Sequence, residues 1–205
     1  MTTVPRRLSR EQSQLLTRSR LITVGREHLL KYGMSGSVAD RIAEEAGYSR
    51  GAFYSNFSGK EELFVSVMEE EHQRYCEIYK EIFRKDHSSE QMLNELRATY
   101  IDMLVNPEWV ILWADFQSEA VRSPSMQERY RIFYEAMVAD SIERLTDHVR
   151  NGKLLCKLSP SNFVFAMSSF AHGLAMRQRA LGSHLRERET RKLIGEMFDH
   201  LIQIP

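Results

Sequence analysis

The placement of proline constrains the fold of this chain more than any other feature of its sequence. Only five prolines occur in 205 residues, and three follow a residue that commonly caps helices, in the pairs Asn106-Pro107, Ser123-Pro124 and Ser159-Pro160. A capping side chain followed by proline at the first helical position is typical of a helix start. No segment alternates between apolar and polar residues as a half-buried strand does. The sequence therefore predicts an all-α protein.

Capping residues and glycines divide the chain into nine predicted helices. Glycine ends helices because it adopts a left-handed conformation at low cost. The predicted helices cover residues 10–32, 38–45, 50–56, 59–85, 89–105, 107–122, 124–150, 160–181 and 184–203. The arm that ends near Ser9 is expected to be loose, as chain termini commonly are.

Charge is unevenly distributed, although the formal net charge is zero. Residues 1–60 contain ten Lys or Arg and five Asp or Glu, a net charge of +5. Residues 61–205 contain eighteen and twenty-three, a net charge of −5. This asymmetry predicts that only the first part of the chain binds a polyanion.

Cysteine usage and hydropathy indicate the cellular compartment of the protein. Cys76 and Cys156 are the only cysteines and form no CxxC motif, which favours a reducing environment. The N-terminal segment lacks the apolar core of a signal peptide. The longest nearly apolar stretch, residues 163–176, is too short to span a bilayer. We therefore expect a cytoplasmic protein without membrane contacts.

Metal and cofactor sites have little support in the sequence. His72 and Cys76 lie four residues apart on one predicted helix, a spacing that can bind a metal, but no further ligand stands near them. Neither a phosphate-binding glycine loop nor a nucleophile elbow occurs. We therefore expect no metal, no cofactor and no enzymatic activity.

The helices predicted at 38–45 and 50–56 carry the most specific pattern. The first is expected to begin with a capping box of Ser37 and Asp40, and its apolar face is rich in alanine, which allows another helix to approach closely. The second is expected to be capped by Ser49. Two short helices joined by a tight turn are typical of a helix-turn-helix.

The second of these helices has two distinct faces. Phe53 and Phe57 lie four residues apart and are expected to face a core. The residues that face elsewhere either offer hydrogen-bond donors or lack a side chain: Arg50, Gly51, Tyr54, Ser55 and Asn56. In a helix-turn-helix such a face enters the DNA major groove. The alternative is a solvated polar face on a purely structural helix, which the positive charge of the segment disfavours.

A third cluster of polar residues begins the next predicted helix. Ser58 and Glu61 form a second expected capping box, which places Lys60 in the first helical turn. A lysine beside free backbone N–H groups suits a DNA phosphate. The predicted DNA-binding set also includes Ser37, Arg41 and Ser49.

Residues 18–64 resemble the TetR family of bacterial transcriptional regulators. The residues that carry the resemblance are Gly33, Ile42-Ala43, Ala46-Gly47, Phe53-Tyr54, Phe57, Lys60 and Leu63-Phe64. The resemblance implies a nine-helix fold, a homodimer and one operator per dimer. It also implies a DNA-binding domain at residues 1–58 and a ligand-binding and dimerisation domain at residues 59–205.

The resemblance further implies roles for individual residues. Tyr54 and Lys60 match the positions of phosphate contacts in the family. Arg50, Gly51 and Ser55 match positions that approach bases or the DNA backbone.

The sequence departs from the family pattern at two places. Asn56 stands where the family often has histidine, although its amide can still donate to phosphate or read adenine. Val24-Gly25 replaces the usual alanine pair, and glycine lowers helix propensity by about 1 kcal/mol relative to alanine.

The rest of the chain is rich in aromatic residues and methionines, which can line an adaptable apolar cavity. Each of them can equally well belong to an ordinary core. The predicted cavity residues, with two polar candidates, are Tyr79, Tyr100, Met103, Trp109, Trp113, Phe116, Gln117, Phe133, Met137, Met167, Phe170 and His172.

The last predicted helix has an unusually wide apolar face made of two adjacent stripes. The outer stripe comprises Leu193, Met197 and Leu201, and the inner stripe comprises Ile194, Phe198 and Ile202. Such a face is either buried in its own subunit or paired with a second copy in a four-helix dimer interface. The predicted interface residues are Phe163, Met167, Leu174, Ile194, Met197, Phe198 and Leu201.

These features together predict a homodimeric repressor that binds a two-fold DNA operator and is released by a small apolar or aromatic effector. An effector that prefers another body conformation would tilt the helix at 59–85 and change the spacing of about 34–36 Å between two recognition helices. One alternative is a helical small-molecule-binding enzyme, but no convincing acid, base or nucleophile set is present. Another is a dimeric module that does not bind DNA, which Tyr54 and Lys60 disfavour.

Overall fold

The computed structural model of the protein describes residues 9–85, 88–182 and 187–205. Nine α-helices and one pair of two-residue strands occur within these residues, so the all-α prediction is confirmed. The elements are α1 (Arg10–Gly36), α2 (Ala39–Glu45), α3 (Arg50–Tyr54), α4 (Lys60–Arg84), α5 (Ser89–Val105), α6 (Pro107–Arg122), α7 (Pro124–Arg150), β1 (Leu155–Cys156), α8 (Pro160–Leu181), α9 (Glu187–Leu201) and β2 (Ile202–Gln203). The predicted loose arm and the predicted start of the last helix at 184 lie outside the described residues.

The strand pair was not predicted. It is antiparallel, with Leu155 opposite Gln203 and Cys156 opposite Ile202. It joins the segment after α7 to the end of α9. No helix in the described ranges is both long and apolar enough to cross a bilayer.

The three proline-containing pairs begin helices as predicted. Asn106 accepts hydrogen bonds from the backbone N–H groups of Glu108 and Trp109 at 3.0 and 3.1 Å, so it caps α6. Ser123 and Ser159 each accept one backbone N–H and cap α7 and α8. These starts depend only on residues within one helical turn, which is why the sequence alone specified them.

The predicted capping box at the start of α2 is wrong. The cap of α2 is Val38, which makes no side-chain capping bond, and Ser37 instead ends α1. The hydroxyl of Ser37 donates to the carbonyl of Gly33 at 2.7 Å. Gly33 has a positive φ of 67°, so the predicted end of the first helix is a kink after which α1 runs on to Gly36.

The second predicted capping box has the right serine and the wrong partner. Both the backbone N–H and the hydroxyl of Ser58 donate to Oε2 of Glu62 at 2.8 Å. Glu61, one residue earlier, was the predicted partner. Lys60 nevertheless begins α4, as predicted.

The chain divides into two compact units, residues 1–70 and 71–205, whose described parts we call the head and the body. The sequence placed the boundary at 58/59, before the fourth helix. The structural division falls inside α4, because the first turns of this helix bury Leu63, Phe64, Val67 and Met68 in the head.

The head packs α1, α2, α3 and the start of α4 around a small core. Its largest buried side chains are Leu21, Leu29, Ile42, Phe53, Phe57, Leu63, Phe64 and Met68. Gly25 lies where α1 meets α4, and a Cβ atom at this position would stand 2.7 Å from Cδ2 of Leu63. The buried side chain of Leu63 occupies the space that an alanine methyl group would need at this position.

The core of the body lies between α5, α8 and α9 and includes Phe163, Met167, Ile194 and Phe198. Two ion pairs flank the contact of α5 with α9. Arg97 donates to both carboxylate oxygens of Asp199 at 2.6 and 2.9 Å, and Arg191 pairs with Asp102. These partly exposed pairs link the two helices beside the core.

Candidate DNA-binding surface and ligand cavity

The exposed face of α3 begins with a well-formed cap. The hydroxyl of Ser49 accepts the backbone N–H of Ala52 at 3.2 Å, as predicted. Phe53 and Phe57 are buried with ring centres 5.5 Å apart, and this contact fixes the inner face of α3. The opposite side of the helix therefore faces solvent.

Arg50 and Tyr54 dominate this solvent-facing side. The Arg50 guanidinium lies 5.5 Å from the centre of the Tyr54 ring, and its Nε lies 3.3 Å from Oδ1 of Asp40 on α2. Tyr54 is 47% exposed, and Gly51 and Ser55 are also exposed. These partners orient the guanidinium on the surface, and its remaining N–H groups can donate to a nucleic acid.

Two of the predicted DNA contacts bond to their own helix. The hydroxyl of Ser55 donates to the carbonyl of Ala52 at 2.9 Å, and Nδ2 of Asn56 donates to the same carbonyl at 2.8 Å. Short polar side chains commonly compete in this way for the carbonyls at a helix end. A DNA contact from either side chain would share or replace these bonds.

Lys60 lies at the first position of α4, as the phosphate-binding prediction requires. Its ammonium donates to the carbonyl of Met34 at 3.1 Å. An ammonium has three donors, so this bond leaves capacity for a phosphate oxygen.

The structure removes Ser37 from the predicted surface. Its side chain is buried, and its hydroxyl is bonded to Gly33. Arg41 is exposed on α2, as a DNA contact would be. Ser37 therefore supports the turn between α1 and α2 instead of contacting DNA.

Arg18 is a residue that the sequence argument did not assign to the site. Its guanidinium donates to the carbonyl of Asn56 and to Oγ of Ser66, the latter at 2.9 Å. It also lies 4.2 Å from the centre of the Phe57 ring and 3.7 Å from a carboxylate oxygen of Glu62. Arg18 thus joins the end of α3 to α4. The sequence feature that could have indicated this role is the position of Arg18 at the start of the family motif, residues 18–64.

The body contains a cavity of about 160 Å³. Seven of the predicted residues line it: Tyr79, Tyr100, Met103, Trp109, Trp113, Met137 and His172. Trp109 and Trp113 stack with ring centres 5.5 Å apart, and the ring of His172 stands 6.5 Å from that of Trp113. One wall of the cavity is therefore aromatic.

Five predicted pocket residues lie elsewhere: Phe116, Gln117, Phe133, Met167 and Phe170. Phe116 and Phe133 are buried with ring centres 5.7 Å apart, and Met167 is buried in the body core. Gln117 donates to the hydroxyl of Tyr130 at 3.2 Å. Aromatic residues and methionines suit a core and a cavity equally well, so spacing could not separate the two uses.

Several polar residues of the cavity wall were missed. His72 and Cys76 line it, with Nε2 of the imidazole 3.1 Å from Sγ of the thiol. Asp140 and Arg144 also line it and form an ion pair at 2.8 Å. Among the described residues, no group of three His, Cys, Asp or Glu side chains could hold a metal.

Burial favours the uncharged forms of three titratable groups of the wall. It lowers the pKa of His72 and of His172, which favours neutral imidazoles, and Asp140 partly opposes the effect at His72. It raises the pKa of the Cys76 thiol, which makes this thiol a poor nucleophile. The cavity is therefore suited to binding and not to nucleophilic chemistry.

The two apolar stripes of α9 face different environments. The inner stripe, including Ile194 and Phe198, is buried in the subunit's own core, whereas Leu193 of the outer stripe is 42% exposed. Met197 and Leu201 are half-buried against the core, as is Leu174 of α8.

The structure therefore corrects the predicted interface. It assigns Phe163, Met167, Ile194 and Phe198 to the subunit core, where a second chain cannot reach them. Leu193 of the outer stripe remains exposed at the surface of the subunit, and Phe165 of α8 is a further exposed aromatic residue.

Two protein-family sequence patterns match the chain. The family described as "Bacterial regulatory proteins, tetR family" matches residues 21–67. The family described as "BetI-type transcriptional repressor, C-terminal" matches residues 90–203. The first match contains α2, α3 and the start of α4, and the second contains most of the body.

Curated relatives carry repressor names. The HTH-type transcriptional repressor AcnR of Corynebacterium diphtheriae is 27% identical over 143 residues, which cover 68% of this chain and 68% of that protein. AcnR of Corynebacterium glutamicum is 23% identical over 142 residues, which cover 67% and 69%.

Solved structures share the fold. A chain from Rhodococcus sp. assigned to the TetR family superimposes with a TM-score of 0.76 at 18% identity, covering 92% of this chain and 98% of that one. A protein from Saccharomonospora viridis assigned as a transcriptional regulator, solved in complex with choline, has a TM-score of 0.73 at 13% identity, covering 92% and 99%. At these identities the likeness shows the fold alone. Because the C-terminal pattern by itself spans more than half of the residues, the chain belongs to the TetR family of bacterial transcriptional regulators.

Proposed function

We propose that the protein is a homodimeric repressor that binds a two-fold symmetric DNA operator and releases it when a small uncharged effector occupies the body cavity. The observation that carries this proposal is the exposed donor surface of α3, where the guanidinium of Arg50 and the phenol of Tyr54 lie at the surface while Phe53 is buried. A short helix that exposes a guanidinium and a phenol while its other side is fixed in a core suits the major groove.

Phosphate binding is assigned to Lys60 and Tyr54. The position of Lys60 at the start of α4 adds the free N–H groups of a helix N-terminus to its own charge. Arg41 is exposed on α2 and adds a further cation. Backbone contacts of this kind set affinity, whereas Arg50 is assigned to reading bases.

Dimerisation is assigned to the outer faces of α8 and α9. Phe165 is 63% exposed, and Leu193 is the exposed member of the outer stripe of α9. Large exposed apolar side chains on two neighbouring helices favour pairing with a second copy. A two-fold dimer of this kind would present two α3 helices to two operator half-sites.

Effector coupling is assigned to α4, whose residues belong to both units. Lys60 and Leu63 lie in the head, whereas His72, Cys76 and Tyr79 line the body cavity. An effector that binds one arrangement of α4 more tightly than another shifts the population of DNA-competent dimers by its difference in affinity.

Two observations bear on whether the effector is cationic or uncharged. The relative from Saccharomonospora viridis was solved with choline, and the aromatic wall of this cavity could also hold a cation. The carboxylate of Asp140 is already paired with Arg144, however, so no free negative charge is evident among the described lining residues. This pairing favours an uncharged effector.

The test is operator binding by the DNA upstream of the protein's own gene, measured by fluorescence anisotropy at several salt concentrations. Lys60→Ala should weaken specific and random DNA alike and reduce the slope of log K against log salt by about one per lost contact. Arg50→Ala should instead reduce the preference for operator over random DNA by about 1–3 kcal/mol. The exposed body residue Lys192 provides a control, because Lys192→Ala removes the same charge elsewhere. Unchanged operator affinity in Lys60→Ala would reject the assigned role.

A further inference from the structure

Two phenols of the cavity wall are unusual in their hydrogen bonding. Tyr79 of α4 and Tyr100 of α5 both line the cavity, and neighbouring atoms shield both hydroxyl oxygens from solvent. Neither hydroxyl has a hydrogen-bond partner among the described residues. A buried hydroxyl without a partner is costly, because folding has removed its bonds to water without replacing them.

Both phenols are held in the donor form. Burial raises the pKa of Tyr79 and of Tyr100, so each keeps its proton. Tyr79 and Tyr100 line the same cavity. The cavity wall therefore offers two O–H donors to an acceptor atom.

The rest of the wall disfavours a charged ligand. Asp140 and Arg144, the two ionised residues among the described lining groups, neutralise one another. His72 and His172 are kept neutral by burial. A charged ligand would give up its hydration without gaining an unpaired counter-charge.

The size of the cavity limits the ligand. In another protein an apolar cavity of about 150 Å³ holds benzene, and this cavity has a volume of about 160 Å³. Stacked Trp109 and Trp113 provide a flat wall against which an aromatic ring can pack.

We propose that the cavity binds an uncharged single-ring aromatic compound whose carbonyl or hydroxyl oxygen accepts hydrogen bonds from Tyr79 and Tyr100. Because both hydroxyls are shielded, binding includes a small movement of neighbouring side chains that exposes them. The inference deepens the proposed function and rests on it for the regulatory consequence of binding, but not for the binding itself.

The experiment compares four single-ring probes of nearly equal size, by calorimetry without DNA. Propiophenone is neutral and carries an acceptor, propylbenzene lacks one, phenylacetate is an anion and phenethylammonium is a cation. Propiophenone should bind at least about tenfold more tightly than either ion. A charged probe that binds most tightly, or no binding of propiophenone at millimolar concentration, overturns the proposal.

Two variants test the donors. Tyr79→Phe and Tyr100→Phe should each weaken propiophenone by about tenfold and leave propylbenzene unchanged. Neither substitution should lower the melting temperature of the free protein, because neither removes a hydrogen bond within the described residues. An equal loss of affinity for both probes would assign the tyrosines to packing and reject the donor role.

Tyr130 provides the matched control. Its hydroxyl accepts a hydrogen bond from Gln117 at 3.2 Å, and it does not line the cavity. Tyr130→Phe should therefore lower the melting temperature and leave the affinity for propiophenone unchanged.

Adding operator DNA to the same assay separates this inference from the proposed function. Tight binding of propiophenone without release of operator DNA would support the proposed ligand class and reject the effector role. Release of operator DNA by a charged compound, with no binding of propiophenone, would support the regulatory function and reject the proposed ligand class.

Discussion

The head presents its proposed DNA contacts on the surface, whereas the body encloses its proposed ligand site within the packed interior. In the head, Arg50 and Tyr54 face solvent while Phe53 is buried and anchors α3 to the core. In the body, Trp113 lines the cavity and is also part of the packed interior, with ring contacts to Phe133, Tyr130 and His172. The comparison teaches that the exposed residues of the head can be substituted at little cost in stability, whereas the aromatic wall of the body cavity cannot be truncated without loosening the fold.

The largest expected effect comes from a charge in the body core. Phe198→Glu should lower the free energy of unfolding by more than about 4 kcal/mol, because it removes ring contacts with Phe163 and Tyr100 and buries a carboxylate. Urea denaturation measures this loss. Leu193→Glu on the outer stripe is the control and should change the stability of the subunit by about 0.5 kcal/mol or less while weakening the proposed dimer. A folded but monomeric Phe198→Glu protein would restore this residue to the interface.

A truncation at the aromatic wall tests the link between cavity and core. Trp113→Ala should lower the free energy of unfolding by about 3–5 kcal/mol and abolish ligand binding as well. In the head, Arg50→Ala should change the stability by about 0.5 kcal/mol or less, because the exposed pair with Asp40 contributes little. Thermal and urea unfolding of both variants measure the contrast. Normal stability with selective loss of ligand binding in Trp113→Ala would break the comparison.

A single methyl group tests how tightly the head is packed. Gly25→Ala should lower the free energy of unfolding by about 1 kcal/mol, because the strain of overpacking against Leu63 exceeds the gain in helix propensity. Gly173→Ala on α8 is the matched control, since no atom lies within 4 Å of the added Cβ, and it should be neutral or stabilising by up to about 1 kcal/mol. Equal stabilisation by both substitutions would show that α4 can move away from α1.

The smallest expected effect is a pH dependence of the body. Burial lowers the folded-state pKa of His172 below its ordinary value of 6.5, so below that pH the unfolded chain binds a proton more readily than the folded chain does. The stabilising contribution is complete above 6.5 and is lost as the pH falls through the lowered pKa. His172→Phe should flatten the decline in melting temperature on mild acidification. An unchanged decline would assign the effect to other groups.

The parts of the fold that the sequence predicted are those set by near neighbours. Asn106 caps α6 through N–H groups within three residues of it. Proline at the next position already has the φ angle of a first helical residue. The two faces of α3 follow from the spacing of Phe53 and Phe57, because residues four apart share one side of a helix. The exposed donors of the candidate DNA-binding surface were readable for the same reason, since polar residues stand out on a short helix.

The rest depended on which helix lies against which. Ser37 had the spacing of a cap for α2, but the kink at Gly33 brought a carbonyl within reach of its hydroxyl. Residue type alone placed Tyr79 and Phe116 together among the predicted cavity residues, although one lines the cavity and the other is buried in the packed interior.

By itself, the sequence determined that the chain is helical, where most helices begin, and that a basic helix-turn-helix precedes an aromatic body. Only the tertiary structure decided that the inner stripe of α9 belongs to the core. It also decided that the side chain of Leu63 packs against Gly25 and that Arg18 links the turn after α3 to α4. The physical reason is one of range. Capping and periodicity act within a turn or two of helix, whereas burial depends on atoms contributed by segments far away in the chain.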